Sequence, residues 1–222
     1  MQDRGPTRIE LGFVNAYLLE GKKGFVLVDT GMASQRKKLE EALAAAGCER
    51  GSLALVVVTH ADYDHMGNCP WLRDEWGAPV AIHGADRATL ETGAAPRRFM
   101  RGLLGKILTF LISLRPEGGP TCPADHILED GQSLEAWGLS ATVCHLPGHT
   151  PGAIGLLMAD GVFIAGDVFA NWRKPAPSPF IHDLEAYRAS LAKALELLPA
   201  SSTVWPGHGG PFPAAAIAAM KL

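Results

Sequence analysis

The chain is short of cysteine, of charge of one sign and of long apolar runs, and each shortage closes off a class of protein. Its four cysteines, Cys48, Cys69, Cys122 and Cys144, lie far apart with no CxxC pair. That pattern argues against a disulfide framework, makes each thiol a small buried hydrophobe, and fits a reducing, cytoplasmic setting. Twenty Lys and Arg stand against 23 Asp and Glu, a net charge of −3, so the basic footprint of a nucleic-acid binder is missing. The opening residues, Met-Gln-Asp-Arg-Gly-Pro, lack the apolar core of a secretory signal. The most apolar stretch, residues 103–114, is too short to cross a bilayer, so no transmembrane segment is expected.

What the chain has is apolar residue, 47% of 222 positions, enough for a substantial core in one domain spanning 1–222. Segments 8–20 and 25–28 read as strands, the second running into Asp29-Thr30-Gly31. Residues 34–46 have helical spacing and good helix formers, closed by Gly47. Further strands are expected at 53–58, 79–82, 141–145, 153–158, 162–165 and 203–205, with an amphipathic helix over 183–198. Asp130-Gly131 and Asp160-Gly161 read as hairpin turns. Runs of strands broken by single helices point to a layered α+β domain. The apolar segment 97–115 departs from this pattern, inside a helical insertion or lid at about 91–118. A helical pair packed on the domain, a substrate-covering lid, a homodimer interface and an interfacial membrane contact all remain open for it.

The densest chemistry follows the apolar run 53–58, in Thr59-His60-Ala61-Asp62-Tyr63-Asp64-His65-Met66-Gly67-Asn68. Two imidazoles and two carboxylates within six positions at a strand end can converge on one metal ion or on two adjacent ones. Three later elements also put a ligand-type residue at a strand end, where a rigid sheet fixes geometry. They are Pro147-Gly148-His149-Thr150-Pro151-Gly152, Phe163-Ile164-Ala165-Gly166-Asp167 and Trp205-Pro206-Gly207-His208-Gly209.

Taken in order, these four motifs resemble the metallo-β-lactamase-fold hydrolase superfamily over nearly the whole chain, from Asp29 to His208. The resemblance implies a four-layer αββα sandwich with a site at one edge and two divalent ions bridged by a carboxylate and a water or hydroxide. Mapped by motif, His60, Asp62 and His149 hold the first ion; Asp64, His65 and His208 hold the second; Asp167 bridges them. Asp29 sits where the family keeps an acidic residue beneath the site. The family pattern HxHxDH here reads HxDxDH, because Asp62 replaces the second histidine. A carboxylate oxygen is harder than an imidazole nitrogen, which moves the first site from zinc toward iron or manganese while still admitting zinc. The flavodiiron branch is similar in carrying a carboxylate there, but its flavin domain has no counterpart in this sequence.

The resemblance implies a metal-dependent hydrolase in which Asp64 and Asp167 take part in the chemistry. Fold does not select among esters, thioesters, lactones, amides and phosphodiesters. Tyr63, Phe169, Trp172, Arg173 and Lys174, with Phe180, are candidate substrate contacts, and the aromatics among them favour an apolar or amphipathic small molecule. The leading expectation is a lactone or carboxylic ester. A di-iron redox protein with a separate electron donor is the second reading, and a non-catalytic membrane- or partner-binding protein the third. His145 is expected beneath the site, His83 at a strand edge or lining the pocket, and His126 and His182 at the surface.

Overall fold

The computed structural model describes residues 5–94, 99–100 and 119–220. Two mixed sheets stack face to face. The first has the order β1-β2-β3-β4-β5-β7, built from β1 (Thr7–Leu11), β2 (Val14–Gly21), β3 (Gly24–Val28), β4 (Leu53–Val57), β5 (Val80–His83) and β7 (His126–Leu128). Strands β1 to β3 pair antiparallel, and β3, β4, β5 and β7 run parallel. The second sheet has the order β14-β13-β10-β9-β8, from β8 (Ala141–His145), β9 (Ile154–Met158), β10 (Val162–Asn171), β13 (Thr203–Gly209) and β14 (Phe212–Pro213). The short β11 (Ala176–Pro177) pairs with β10, and β12 (Phe180–Ile181) forms a ribbon with β6 (Phe99–Met100).

Three apolar layers hold this stack together. Tyr17, Val26, Val28, Leu55 and Val57 of the first sheet meet Val143, Ile154, Leu156 and Ile164 of the second, closing an apolar core between them. The outer face of the first sheet packs under α1 (Arg36–Ala45) and α3 (Cys69–Trp76) through Leu39, Leu43, Leu72 and Trp76. The outer face of the second packs under α5 (Leu184–Leu197) and a 3-10 turn (Ala214–Ala219) through Ala194, Leu198 and Ile217. The architecture is therefore an αββα sandwich. Asp183 caps α5 by accepting Glu185 and Ala186 N–H at 2.9 and 3.0 Å, which fixes where that helix begins. No helix among the described residues is long and apolar enough to cross a membrane. The apolar stretch 103–114, with the lid and dimer readings attached to it, lies outside the described residues.

Several expected elements differ in extent. The strand expected over 8–20 is two, because Gly12, at φ +72°, turns the chain into an antiparallel hairpin. The Asp160-Gly161 hairpin joins β9 to β10, whereas Asp130-Gly131 carries the chain from the first sheet to the second and is no hairpin. There Asp130 Oδ1 accepts His145 N–H at 2.8 Å and Lys193 at 2.7 Å, so its carboxylate anchors the C-terminal end of β8. The strand expected at 162–165 runs on to Asn171, so Asp167 lies inside a strand and not at its end. Likewise the strand expected at 203–205 continues to Gly209. Three short helices escaped the periodicity: α2 (Tyr63–Met66), α3, and α4 (Arg87–Thr92).

The pairing of β10 with β13 is irregular at Gly166, and this irregularity re-aims Asp167. Gly166 has φ +49°, and a β-carbon there would meet the Thr59 side chain at 2.7 to 3.2 Å. Gly166→Ala should therefore destabilise the fold by about 1–3 kcal/mol, through backbone strain plus displacement of Thr59. Gly131→Ala is the control, since Gly131 has φ +75° but open space around it. Denaturant unfolding of both variants checks the ranking, and an equal loss at the two positions would contradict it.

Candidate metal centre

Strand direction decides where the site lies. The C-terminal ends of β3, β4 and β5 share one edge of the first sheet because those strands run parallel. In the second sheet β8 and β10 are both antiparallel to β9, and β13 is parallel to β10, so their C-terminal portions also share an edge. His60 follows β4, His149 follows β8, Asp167 lies in β10 and His208 in β13. Asp62 stands at the N-cap position of α2 with extended backbone, and the single turn after it presents Asp64 and His65 together. Asn68 ties that turn to the end of β3, its Nδ2 donating to Thr30 O at 2.7 Å and Met32 O at 2.9 Å.

All seven expected ligand side chains come together. His60, Asp62 and His149 each offer an atom within 4.8 Å of the others, as do Asp64, His65 and His208, and also His60, His65 and Asp167. Asp62 Oδ2 is 3.3 Å from both His60 Nε2 and His149 Nε2. His208 Nε2 is 3.7 Å from Asp64 Oδ2. Asp167 faces both groups: Oδ1 is 3.4 Å from His65 Nε2, while Oδ2 is 3.1 Å from His208 Nε2 and 3.8 Å from His149 Nε2.

Each imidazole is held from behind through Nδ1. His65 Nδ1 meets Asp29 Oδ2 at 2.8 Å, and His60 Nδ1 meets Thr59 Oγ1 at 2.9 Å. His149 Nδ1 donates to Phe180 O at 2.8 Å, and His208 Nδ1 to Phe13 O at 2.7 Å. These partners fix the tautomer, so that Nε2 is the nitrogen turned inward. Asp29 is buried with φ +58°, and it also takes the Thr59 N–H at 2.8 Å and the Thr59 hydroxyl. The stretch of β13 that carries His208 is further pinned by Tyr17 Oη and Asn15 Nδ2, both donating to Pro206 O.

The electrostatics match the geometry. Burial alone would lower the His65 pKa, but Asp29, Asp167 and Asp64 outweigh it and raise it to about 10. Burial would raise that of Asp167, yet His65 and His208 hold its carboxyl well below the ordinary carboxylate range. His208 is raised against its own burial, chiefly by Asp167. His65 Nε2 and Asp167 Oδ1 are buried without a hydrogen-bond partner. Converging nitrogen and oxygen donors, some left unsatisfied, suit divalent cations in place of protons.

The candidate substrate contacts separate into two sets. Tyr63, Trp172 and Arg173 are exposed, with Trp172 5.4 Å from the His208 ring. Phe169 is fully buried and meets Phe212 edge-on at 6.0 Å, so it belongs to the core under the second sheet and not to the rim. The extended β10 is the reason, because it places Phe169 within the sheet where a loop was expected. His145 stacks on His83 at 3.8 Å, making a pair between the sheets, while His126 lies edge-on to Trp137. Lys174 and His182 are exposed.

Two residues escaped the sequence reading. Phe13, at the tip of the first hairpin, stacks on the His208 ring at 5.7 Å with the planes 10° apart. Asp86 is a buried carboxylate beside the His60 and His149 loops. No local pattern marks either, since their partners are distant in sequence.

Residues 9–208 match the sequence profile of the metallo-beta-lactamase superfamily. A "Beta-lactamase-like protein 2 homolog" of Drosophila melanogaster is 25% identical over 207 residues, which cover 92% of this chain and 61% of that protein. A "Probable metallo-hydrolase YqgX" of Bacillus subtilis is 25% identical over 197 residues, 88% of this chain and 84% of that one. Among solved structures, TTHA1623 in a di-iron-bound form aligns with a TM-score of 0.65 and 26% identity over 97% of each chain.

Metal uptake should compete with protons in a defined direction. An ion at His65 must displace the proton that this imidazole keeps up to about pH 10, so apparent affinity rises with pH across neutrality. The expected gain is about one decade per pH unit for each proton displaced. Competition titrations against a chelator from pH 6 to 8 measure it, and a pH-independent affinity would contradict the assignment.

Proposed function

Because the chain belongs to the metallo-β-lactamase superfamily, we propose that it is a dinuclear metal-dependent hydrolase acting on a small ester-like substrate, a lactone or carboxylic ester ahead of a thioester or phosphodiester. The observation that carries this reading is the convergence of three carboxylates and four inward-turned imidazoles at one edge of the sandwich. His60, Asp62 and His149 would hold one ion, Asp64, His65 and His208 the other, and Asp167 would bridge them. When bound, the pair supplies Lewis acidity and brings the pKa of a shared water toward neutrality. Asp64 accepts the proton of the attacking water on its carboxylate, and Asp167 holds the two halves of the site in register.

The rim supports an apolar or amphipathic substrate. Phe13, Tyr63 and Trp172 are 49%, 51% and 54% exposed, and they are the aromatic rings among the exposed large hydrophobics. All three adjoin the centre: two pack against His208, and Tyr63 lies between Asp62 and Asp64. Exposed aromatic surface gathered at a polar cleft is better suited to an acyl or aryl group than to bulk water. Arg173 extends from the same rim and suits a carboxylate on the substrate. The cytoplasmic setting is part of the proposal, supported by four buried cysteines with no disulfide.

Asp62 and the di-iron-bound neighbour favour one further reading, a di-iron redox protein working with a separate electron donor. Elemental analysis of purified protein, paired with a screen of esters, lactones, thioesters and phosphodiesters, separates the two. Ester or lactone turnover that falls roughly tenfold in kcat/KM for aryl or long-chain substrates in Trp172→Ala, with small acyl groups spared, is the expected result. Two irons with a visible charge-transfer band and no turnover of any ester would overturn the hydrolase reading. Asp62→His should raise zinc occupancy relative to iron and manganese in protein grown on mixed metals. An unchanged ratio would refute the role given to Asp62.

A further inference from the structure

Asp86 occupies the N-cap position of α4, where an aspartate normally accepts N–H groups of its own helix, yet it makes no such bond. Its carboxylate is turned the other way and is buried. Oδ2 accepts the N–H of Ala61 at 3.1 Å, and Oδ1 accepts the N–H of Gly152 at 2.7 Å. Ala61 lies between His60 and Asp62, and Gly152 lies three residues after His149. One carboxylate therefore joins the two loops that carry His60, Asp62 and His149. The fit is close: a β-carbon on Gly152 would come within 2.7 Å of both Asp86 Cγ and Asp86 N. The backbone link from Ile154 N–H to Thr59 O, at 2.9 Å, aligns the same loops one step further from the site.

We propose that Asp86 is a positioning residue for the half-site of His60, Asp62 and His149, setting the spacing of its two ligand loops and so its affinity for a divalent ion. The inference rests on the dinuclear reading above. It also implies an asymmetry, because His65 is held by Asp29 and His208 by Phe13, and the Asp86 carboxylate bonds to neither of these.

The test is a Zn2+ titration of metal-free full-length protein against a competing chromophoric chelator. Asp86→Asn offers one oxygen and turns an amide NH2 toward a backbone N–H, so one of the two loop bonds is lost. The expected result is one binding step weakened about tenfold to a hundredfold, the other within about twofold of the unsubstituted chain. His149→Ala identifies which step belongs to the Asp86 side. If Asp86→Asn fails to fold, Gly152→Ala, which keeps the carboxylate and displaces it, is read in the same way. Two unchanged steps, or two steps weakened equally alongside a lower melting temperature of the metal-free protein, would overturn the proposal. Uptake of fewer than two ions by the unsubstituted chain overturns the dinuclear reading and this inference with it.

Discussion

Each of the four imidazoles gives its Nδ1 to a partner outside the centre, and that leaves Nε2 as the nitrogen able to face inward. Asp29 is the hub of this arrangement. It holds His65 directly and His60 through the Thr59 hydroxyl, from a left-handed backbone conformation that aspartate tolerates better than most residues. The other two partners are main-chain carbonyls, of Phe180 and Phe13, so the correctness of half the site depends on backbone placement and not on side-chain choice.

The same crowding couples the charges of the centre to one another. Carboxylates and imidazoles packed this tightly drive one another's ionisation in opposite directions, His65 and His208 upward and Asp167 downward. Divalent ions at the proposed site would have to displace the protons held there, and would meet donors whose geometry the Nδ1 contacts have prepared. As a proposed ligand, Asp62 would strengthen the cation's hold and moderate its Lewis acidity relative to an imidazole in the same place.

Much of this was legible in the sequence because each ligand motif is local. An apolar run predicts a strand, the polar residues after it mark the edge, and the ordered set of motifs points to the fold. What escaped the reading depends on contacts far apart in the chain. The Asp86 bonds cross 25 and 66 residues, and the Phe13 carbonyl reaches His208 across 195. Phe169 was misplaced for a related reason: Gly166 resembles a strand terminator, and only the parallel partner β13 shows that it is a bulge within a longer strand. The helices α2 and α4 were too short for periodicity to detect, although α2 carries two of the proposed ligands.

The contact between Phe13 and His208 has a kinetic side. A hairpin formed near the start of the chain supplies both the carbonyl and the ring that hold His208 on one of its last strands. The hairpin can form early from near neighbours, whereas His208 reaches it only after a loop spanning most of the molecule has closed. Bringing His208 against His65 therefore closes a far longer loop than bringing His65 against His60 does. An ion held by His65 and His208, as proposed, would close that long loop from the inside. It would act as a reversible crosslink, adding to the hold that the apolar core between the sheets already provides.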